Sequence, residues 1–371
     1  MTKFTELNLN PKVLKAVQDA GYETPTPIQA GAIPPALEGR DVLGIAQTGT
    51  GKTASFTLPM ITMLARGRAR ARMPRSLVLC PTRELAAQVA ANFETYAQNV
   101  KLTKALLIGG VSFKEQDTLI DKGVDVLIAT PGRLLDHFER GKLLLTGVQI
   151  MVVDEADRML DMGFTEQLVK IVEMLNSKRQ TMMFSATISE NIKRISGRYL
   201  TDPVRIAIGP QHKPALNITQ QDVKISHDKK LPFLIEELER RSGSVIIFVN
   251  MKRSADSLTR SIKEGNHKAV AIHGDLKQHQ RNRVIKSFRD EKCRILVATD
   301  VAARGLDIPH IKHVINYDIS INPEDHIHRI GRTARAGNSG EALNLISSAD
   351  SSKWHAIQRL INPEDNAKKF S

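Results

Sequence analysis

Cysteine is nearly absent from this chain: Cys80 and Cys293 are the two in 371 residues. They stand far apart, without metal-ligand spacing, each in or beside an apolar strand-like run. That excludes a disulfide scaffold and a thiolate metal site, and leaves reduced, buried thiols as the expectation. Aromatic residues are also scarce, at 4%, so a surface that works mainly by base stacking is not expected. No apolar run approaches a membrane span, and the opening residues MTKFTELNLNPKVLKAV lack the apolar core and cleavage site of a secretory signal. The expected location is cytoplasmic. Negative charge is the sign in short supply: 40 Asp and Glu stand against 53 Lys and Arg, a formal net charge of +13 with a pI near 9.7. Such a balance favours a polyanionic partner only where motifs support it. The densest basic stretch, ARGRARARMPR with Arg66, Arg68, Arg70, Arg72 and Arg75, reads as a solvated surface loop rather than a dedicated phosphate contact.

What is present is an alternation of short apolar strands with amphipathic helices, and it occurs twice. The first half offers strands at 41–46, 76–81, 104–109, 125–130, 150–154, 181–186 and 204–208. Runs this rich in Val, Ile and Leu are buried on both faces, which predicts a parallel sheet covered by helices. Residues 209–220, GPQHKPALNITQ, break the rhythm with Pro, Gly and Asn and read as a linker. The alternation restarts with strands at 244–250, 268–274, 293–300, 313–319 and 341–347. The expected organisation is an α/β domain over 1–208, a linker over 209–220 and a second α/β domain over 221–371. No low-complexity tract or short-period repeat is visible.

Two motifs in the first half point to nucleotide hydrolysis. Residues 46–53, AQTGTGKT, follow a strand and open a helix. Gly49 and Gly51 let backbone N–H groups approach phosphate oxygens, Lys52 meets the outer phosphates, and Thr53 offers its hydroxyl to Mg²⁺. The pattern asks for Gly at its first position, where this chain has Ala46. Downstream, Val152 and Val153 lead into Asp154, Glu155, Ala156 and Asp157. An acidic pair at the carboxyl end of a buried strand is where an α/β sheet places a metal-binding carboxylate, and Asp154 is the expected one. The second half has no GKT loop, so the two halves are not two nucleotide engines.

The ordered set of motifs resembles the DEAD-box RNA helicases over essentially the whole chain, with a bacterial RhlE-like branch expected. It runs through Phe4, GYETPTPIQ ending at Gln29, AQTGTGKT, PTRELA at 81–86, Gly109-Gly110, TPGR at 130–133, DEAD at 154–157 and SAT at 185–187. In the second half it continues with FVN at 248–250, Gln278 with Arg281, TDVAARGLD at 299–307 and HRIGRTAR at 328–335. The resemblance implies two tandem RecA-like domains, ATP and Mg²⁺ as ligands, and RNA as the partner. It also implies that ATP and single-stranded RNA together close the two lobes, so that RNA-stimulated hydrolysis unwinds short duplexes locally or remodels RNA–protein complexes. Two other classes stay open at this level: an ATP-gated RNA clamp or assembly factor, and a DNA-acting helicase.

The same resemblance assigns roles by position. Thr48, Gly49, Thr50, Gly51, Lys52 and Thr53 form the phosphate loop, with Thr53 and Asp154 on the metal. Gln29 reads adenine with Phe4 stacked on the ring, although Phe4 alone reads as a core anchor. Glu155 orients and activates water. Arg332 and Arg335 are arginine fingers supported by His328, and Asp307 meets the ribose; a bare RxxR would read as a basic helix face. Ser185 and Thr187 couple the nucleotide to RNA, where a bare SAT would read as a helix-capping start. RNA contacts fall to Thr82, Arg83, Gly109, Gly110, Thr130 and Arg133, and to Gln278, Arg281, Thr299 and Asp300. These are sugar–phosphate contacts, so binding should be sequence-independent and salt-dependent. The chain departs from the family pattern at RTAR, where RTGR is more frequent, and at His326, where Tyr is common. Ribonucleoprotein or RNA-degradation complexes are implied as partners, a membrane is not, and a monomer is the default.

Overall fold

The computed structural model describes residues 2–361 apart from 48, 71, 209–217, 304–307, 309 and 335–338. The chain divides into two compact units, unit 1 being Met1–Gln211 and unit 2 His212–Ser371.

Unit 1 holds seven strands: β1 Val42–Ile45, β2 Ser76–Leu79, β3 Lys104–Leu107, β4 Val126–Ala129, β5 Ile150–Val153, β6 Gln180–Ser185 and β7 Val204–Ala207. They form one sheet in the order β3-β4-β2-β5-β6-β1-β7, with every pairing parallel. Successive side chains point to opposite faces, and both faces are apolar. Val42 and Val78 join one core cluster with Phe56 and Phe184, while Leu43, Leu77 and Leu79 join the other with Met151 and Met183. This two-sided burial is the physical reason these segments read as continuous apolar runs.

Unit 2 holds six strands: β8 Ile218–Lys224, β9 Ser244–Phe248, β10 Ala269–Ile272, β11 Ile295–Ala298, β12 Ile311–Asn316 and β13 Gly340–Ile346. The order is β10-β11-β9-β12-β13-β8, again with parallel pairings. Val245 and Ile247 face one cluster, Ile246 and Phe248 the other.

Twelve of these strands coincide with the expected segments; β8 does not. Ile218 to Gln220, expected at the end of the linker, are the first residues of β8, which pairs along its length with β13 from Ile218 opposite Gly340 to Lys224 opposite Ile346. The strand is polar because it is an edge, with five of its residues exposed. The rest of the expected linker lies outside the described residues. Cys80 is buried as expected, whereas Cys293 is only half-buried, its Sγ 3.4 Å from Ser287 Oγ. In the basic stretch, Arg75 is a staple rather than a solvated side chain. Its guanidinium pairs with Asp125 at 3.2 Å and donates to the carbonyls of Leu64 and Arg66.

In a parallel sheet all strand-to-helix loops at the carboxyl ends lie on one rim. Unit 1 gathers there the residues after β1, β2, β3, β4, β5 and β6; unit 2 gathers those after β9, β10, β11 and β12.

Candidate active site and nucleic-acid interface

In unit 1 the loop after β1 turns through Gly49 and Gly51, at φ of 85° and 95°. Gly51 starts the helix Lys52–Leu64, and a Cβ there would collide with the Gln29 amide. Thr50 Oγ1 donates to the Gln47 carbonyl at 2.7 Å, closing the turn. Lys52 is buried, with Nζ donating to the Ala46 carbonyl at 2.7 Å. Any residue supplies that carbonyl, and the Ala46 methyl group is buried in the apolar core, so alanine replaces the usual glycine without strain. Thr53 is half-buried in the first turn, and Thr48 lies outside the described residues.

Gln29 joins this loop to the helix Pro27–Leu37. Its Oε1 accepts from Thr26 N at 2.9 Å and its Nε2 donates to the Gly51 carbonyl at 3.2 Å. Phe4 packs into the same core cluster as Leu7 and Leu9, 4% exposed, in an anchoring position.

Asp154 closes β5 and is fully buried, its Oδ1 accepting from Glu155 N at 2.9 Å. Burial raises its pKa from the ordinary 3.8 to about 7; Lys52 opposes the rise, and Glu155 and Asp157 add to it. Glu155, the next residue, sits in the left-handed region at φ 50°, ψ 53°, a conformation that L side chains seldom adopt. Asp157 ties this helix start to the segment after β6. Its Oδ2 accepts from Ala186 N and Thr187 N, each at 3.0 Å, and from Thr187 Oγ1 at 3.2 Å. Ser185 Oγ in turn donates to the Thr187 carbonyl at 2.7 Å.

The residues of unit 1 expected to contact RNA occupy neighbouring loops. Thr82 caps the helix Arg83–Ala97, accepting from Leu85 N at 3.2 Å. The Arg83 guanidinium lies against Gly109, where an added Cβ would come within 2.8 Å of Nη2. Gly110 takes φ 79°. Thr130 precedes the helix Pro131–Glu139, and Arg133 on it donates to the Val111 carbonyl at 2.9 Å. Unit 1 therefore brings its predicted set together on one rim.

In unit 2 the predicted set is more tightly committed. Arg281 is buried, with Nη1 donating to the His273 carbonyl at 3.3 Å and Nη2 to the Ala302 carbonyl at 3.4 Å. Gln278 Nε2 donates to Asn282 Oδ1 at 3.1 Å. Thr299 is buried, with its carbonyl accepting from Ala302 N at 3.0 Å. Asp300 is held by Arg329 through both carboxylate oxygens, Nε to Oδ1 at 2.6 Å and Nη2 to Oδ2 at 2.7 Å. His328 is half-buried and Arg332 is buried; Asp307 and Arg335 lie outside the described residues.

Arg329 is the residue that reading the sequence missed. Its buried side chain also donates to Asn316 Oδ1 at 3.1 Å, the Asp318 carbonyl at 2.6 Å and Asn250 Oδ1 at 3.0 Å, and lies 5.0 Å from the Phe248 ring centroid. It fastens the helix Pro323–Ile330 to the ends of β9, β11 and β12. One signal was available: Asp325, His326, Arg329 and Ile330 fall on one face at helical spacing, so a polar face packs inward.

Residues 26–195 match the DEAD/DEAH box helicase family and residues 229–337 the helicase conserved C-terminal domain. The DEAD-box ATP-dependent RNA helicase RhpA of Helicobacter pylori is 40% identical over 362 residues, covering 97% of this chain and 73% of the relative. The ATP-dependent rRNA helicase RRP3 of Meyerozyma guilliermondii is 40% identical over 360 residues, covering 96% and 75%. Among solved structures, S. cerevisiae Dbp5 bound to RNA and ADP BeF3 matches with a TM-score of 0.88 at 31% identity, covering 97% of this chain and 93% of that one. A DEAD box protein from the hyperthermophile Methanococcus jannaschii matches at 37% identity and a TM-score of 0.55, covering 97% of each chain. Neither relative carries the branch name expected from the sequence.

Proposed function

Because this chain belongs to the DEAD/DEAH box helicase family, we infer that it is an ATP-dependent RNA helicase. RNA-stimulated ATP hydrolysis opens short duplexes locally or remodels RNA–protein complexes. The observation that carries the hydrolytic half is the cluster at the ends of β1 and β5. Lys52 and Asp154 are both buried and close enough for Lys52 to pull the Asp154 pKa down, while the Lys52 ammonium donates to the Ala46 carbonyl. The RNA half is supported by the likeness to Dbp5 bound to RNA and ADP BeF3 and by the RNA helicase relatives.

The residues fit the expected ligands. A buried carboxylate whose pKa rises to about 7 favours a cation beside it, and Thr53 supplies a hydroxyl in the neighbouring helix turn, so Asp154 and Thr53 would hold Mg²⁺. Bound there, the ion would neutralise charge on the phosphate oxygens. Gln29 retains one lone pair on Oε1 and one N–H on Nε2 beyond its two protein contacts, the pair of groups that adenine N6 and N7 require. Phe4 would stack on the adenine ring. Lys52 meets the outer phosphates, and Glu155 takes a proton from the attacking water. Arg332 and Arg335, with His328, supply positive charge to the transferring phosphoryl group, and Asp307 meets the ribose. The bonds from Asp157 to Ala186 and Thr187 support a coupling role for Ser185 and Thr187. The free thiols Cys80 and Cys293 support a reducing, cytoplasmic setting.

The test is steady-state ATP hydrolysis without nucleic acid, with RNA and with matched DNA, alongside Glu155→Gln. The expected result is stimulation by RNA alone and a kcat reduced roughly 10² to 10⁴-fold in the variant. Equal stimulation by DNA would overturn the RNA assignment, and full activity of the variant would overturn the role of Glu155.

A further inference from the structure

The segment Gly109-Gly110 runs on through Val111 and Ser112 to Phe113, which opens the helix Phe113–Lys122 and is half-buried. Two guanidinium groups lie over its ring: the Arg133 Cζ at 4.0 Å from the centroid and the Arg140 Cζ at 4.2 Å. Gln116, buried one turn along, accepts from Arg133 Nη1 at 3.4 Å and donates to the Ile108 carbonyl at 3.0 Å, holding the segment and the arginine together. Arg140 is the exposed member. Its side chain is 45% accessible, and its one carboxylate contact is to Asp117 at 3.4 Å.

Three cations converge here. The Arg133 pKa is lowered first by burial, against the pull of Asp136, and then by the positive charges of Arg83 and Arg140. Asp136 is a weak counterweight, 3.6 Å from Arg133 Nε and half exposed. Like charges held in register along one segment are unfavourable in the free protein, and an anionic backbone laid across them relieves the repulsion. A solvated arginine needs no aromatic ring to fix it, whereas a phosphate-binding one benefits from a fixed head group.

We propose that Arg140 is a further RNA phosphate contact, held with Arg133 by the Phe113 ring, so that the RNA track of unit 1 continues along the helix Pro131–Glu139. This extends the RNA assignment above and rests on it. Arg140 carries the contact and Phe113 is a positioning residue.

Binding of labelled single-stranded RNA across a salt series, with RNA-dependent ATP hydrolysis in parallel, tests the proposal. Arg140→Gln is expected to flatten the slope of log affinity against log salt by about 0.7, the loss of one phosphate contact on a single strand. The half-stimulating RNA concentration should rise, with kcat at saturating RNA and RNA-free hydrolysis unchanged. Phe113→Ala should reproduce the effect and Phe113→Tyr should reverse it. Arg240→Gln, an exposed arginine of unit 2 paired with Glu236, should leave the slope as it is. An unchanged slope in Arg140→Gln, or equal changes in the Arg140 and Arg240 variants, would overturn the proposal and leave the RNA assignment standing. Absence of salt-dependent RNA binding by the unmodified protein would remove both.

Discussion

Unit 1 follows β1 and β5 with Lys52 and Asp154, which interact at a distance without a salt bridge between them, whereas unit 2 follows β9 and β11 with Asn250 and Asp300 closed around Arg329. Lys52, Asp154 and Arg329 are buried and Asn250 and Asp300 half-buried, each cluster at the carboxyl-end rim of the same kind of sheet. In unit 1 the charges are incomplete, and the strain appears as a carboxylate whose pKa burial raises to about 7. In unit 2 five hydrogen bonds satisfy one guanidinium, and the cluster has no unmet demand for a ligand. One architecture thus serves two ends: the unit 1 cluster is left open to a ligand, and the paired charge of unit 2 fixes the helix that carries His328 and leads into Arg332.

The largest test of this contrast is Arg332→Gln. Arg332 stands just beyond the closed cluster, and its loss should lower RNA-stimulated kcat roughly 10³ to 10⁵-fold, with ATP affinity nearly unchanged. Arg329→Met strikes the closed cluster itself. Leaving the half-buried Asp300 without its partner should destabilise unit 2 by about 1 to 3 kcal/mol, read by denaturant unfolding and by hydrogen exchange concentrated in β9, β11 and β12. If exchange rises equally in unit 1, the two clusters are not independent.

The next comparison is by pH. Asp154 holds its proton in the folded protein up to about 7 but loses it above 3.8 when unfolded. The folded state therefore binds more protons within that window, and the stability of unit 1 should fall as pH rises through it, by roughly 3 to 4 kcal/mol in all. Asp154→Asn should flatten the profile, and Mg²⁺ with ATP should stabilise the unmodified protein more near pH 8 than near pH 5.

Unit 2 should show the opposite slope through His326. Burial, then the charge of Arg329, lowers its pKa from 6.5 to about 3, so the unfolded chain takes up a proton first and stability falls as pH drops from 6.5 toward 3. Both ring nitrogens of His326 lack a hydrogen-bond partner, and the ring packs edge-on to Trp354 at 5.3 Å. His326→Phe should remove the acid sensitivity and add about 1 to 3 kcal/mol in chemical unfolding at neutral pH.

The strands buried on both faces could be read from the sequence because their apolar runs leave no polar face to confuse the pattern. The strand β8 could not, since ITQQDVK lies at an edge where one partner strand suffices and solvent takes the rest. The phosphate loop and the acidic tetrad were legible because their backbone requirements restrict residue type at fixed spacing. The pairing of Arg329 with Asp300 was missed because a salt bridge between residues 29 positions apart leaves no local periodic trace. The Arg133, Phe113 and Arg140 arrangement was hidden the same way, because the low aromatic content says nothing of where a single ring stands.

The backbone of Glu155 carries a further meaning. A left-handed conformation at a non-glycine residue costs on the order of 1 to 2 kcal/mol, and here the residue bears the carboxylate expected to act on water. Replacing Glu155 by glycine would relax the chain and disarm the enzyme in one step. Selection for robustness and selection for turnover therefore pull in opposite directions at this position. A library screened for thermal tolerance alone should enrich glycine here, and one screened for catalysis should purge it.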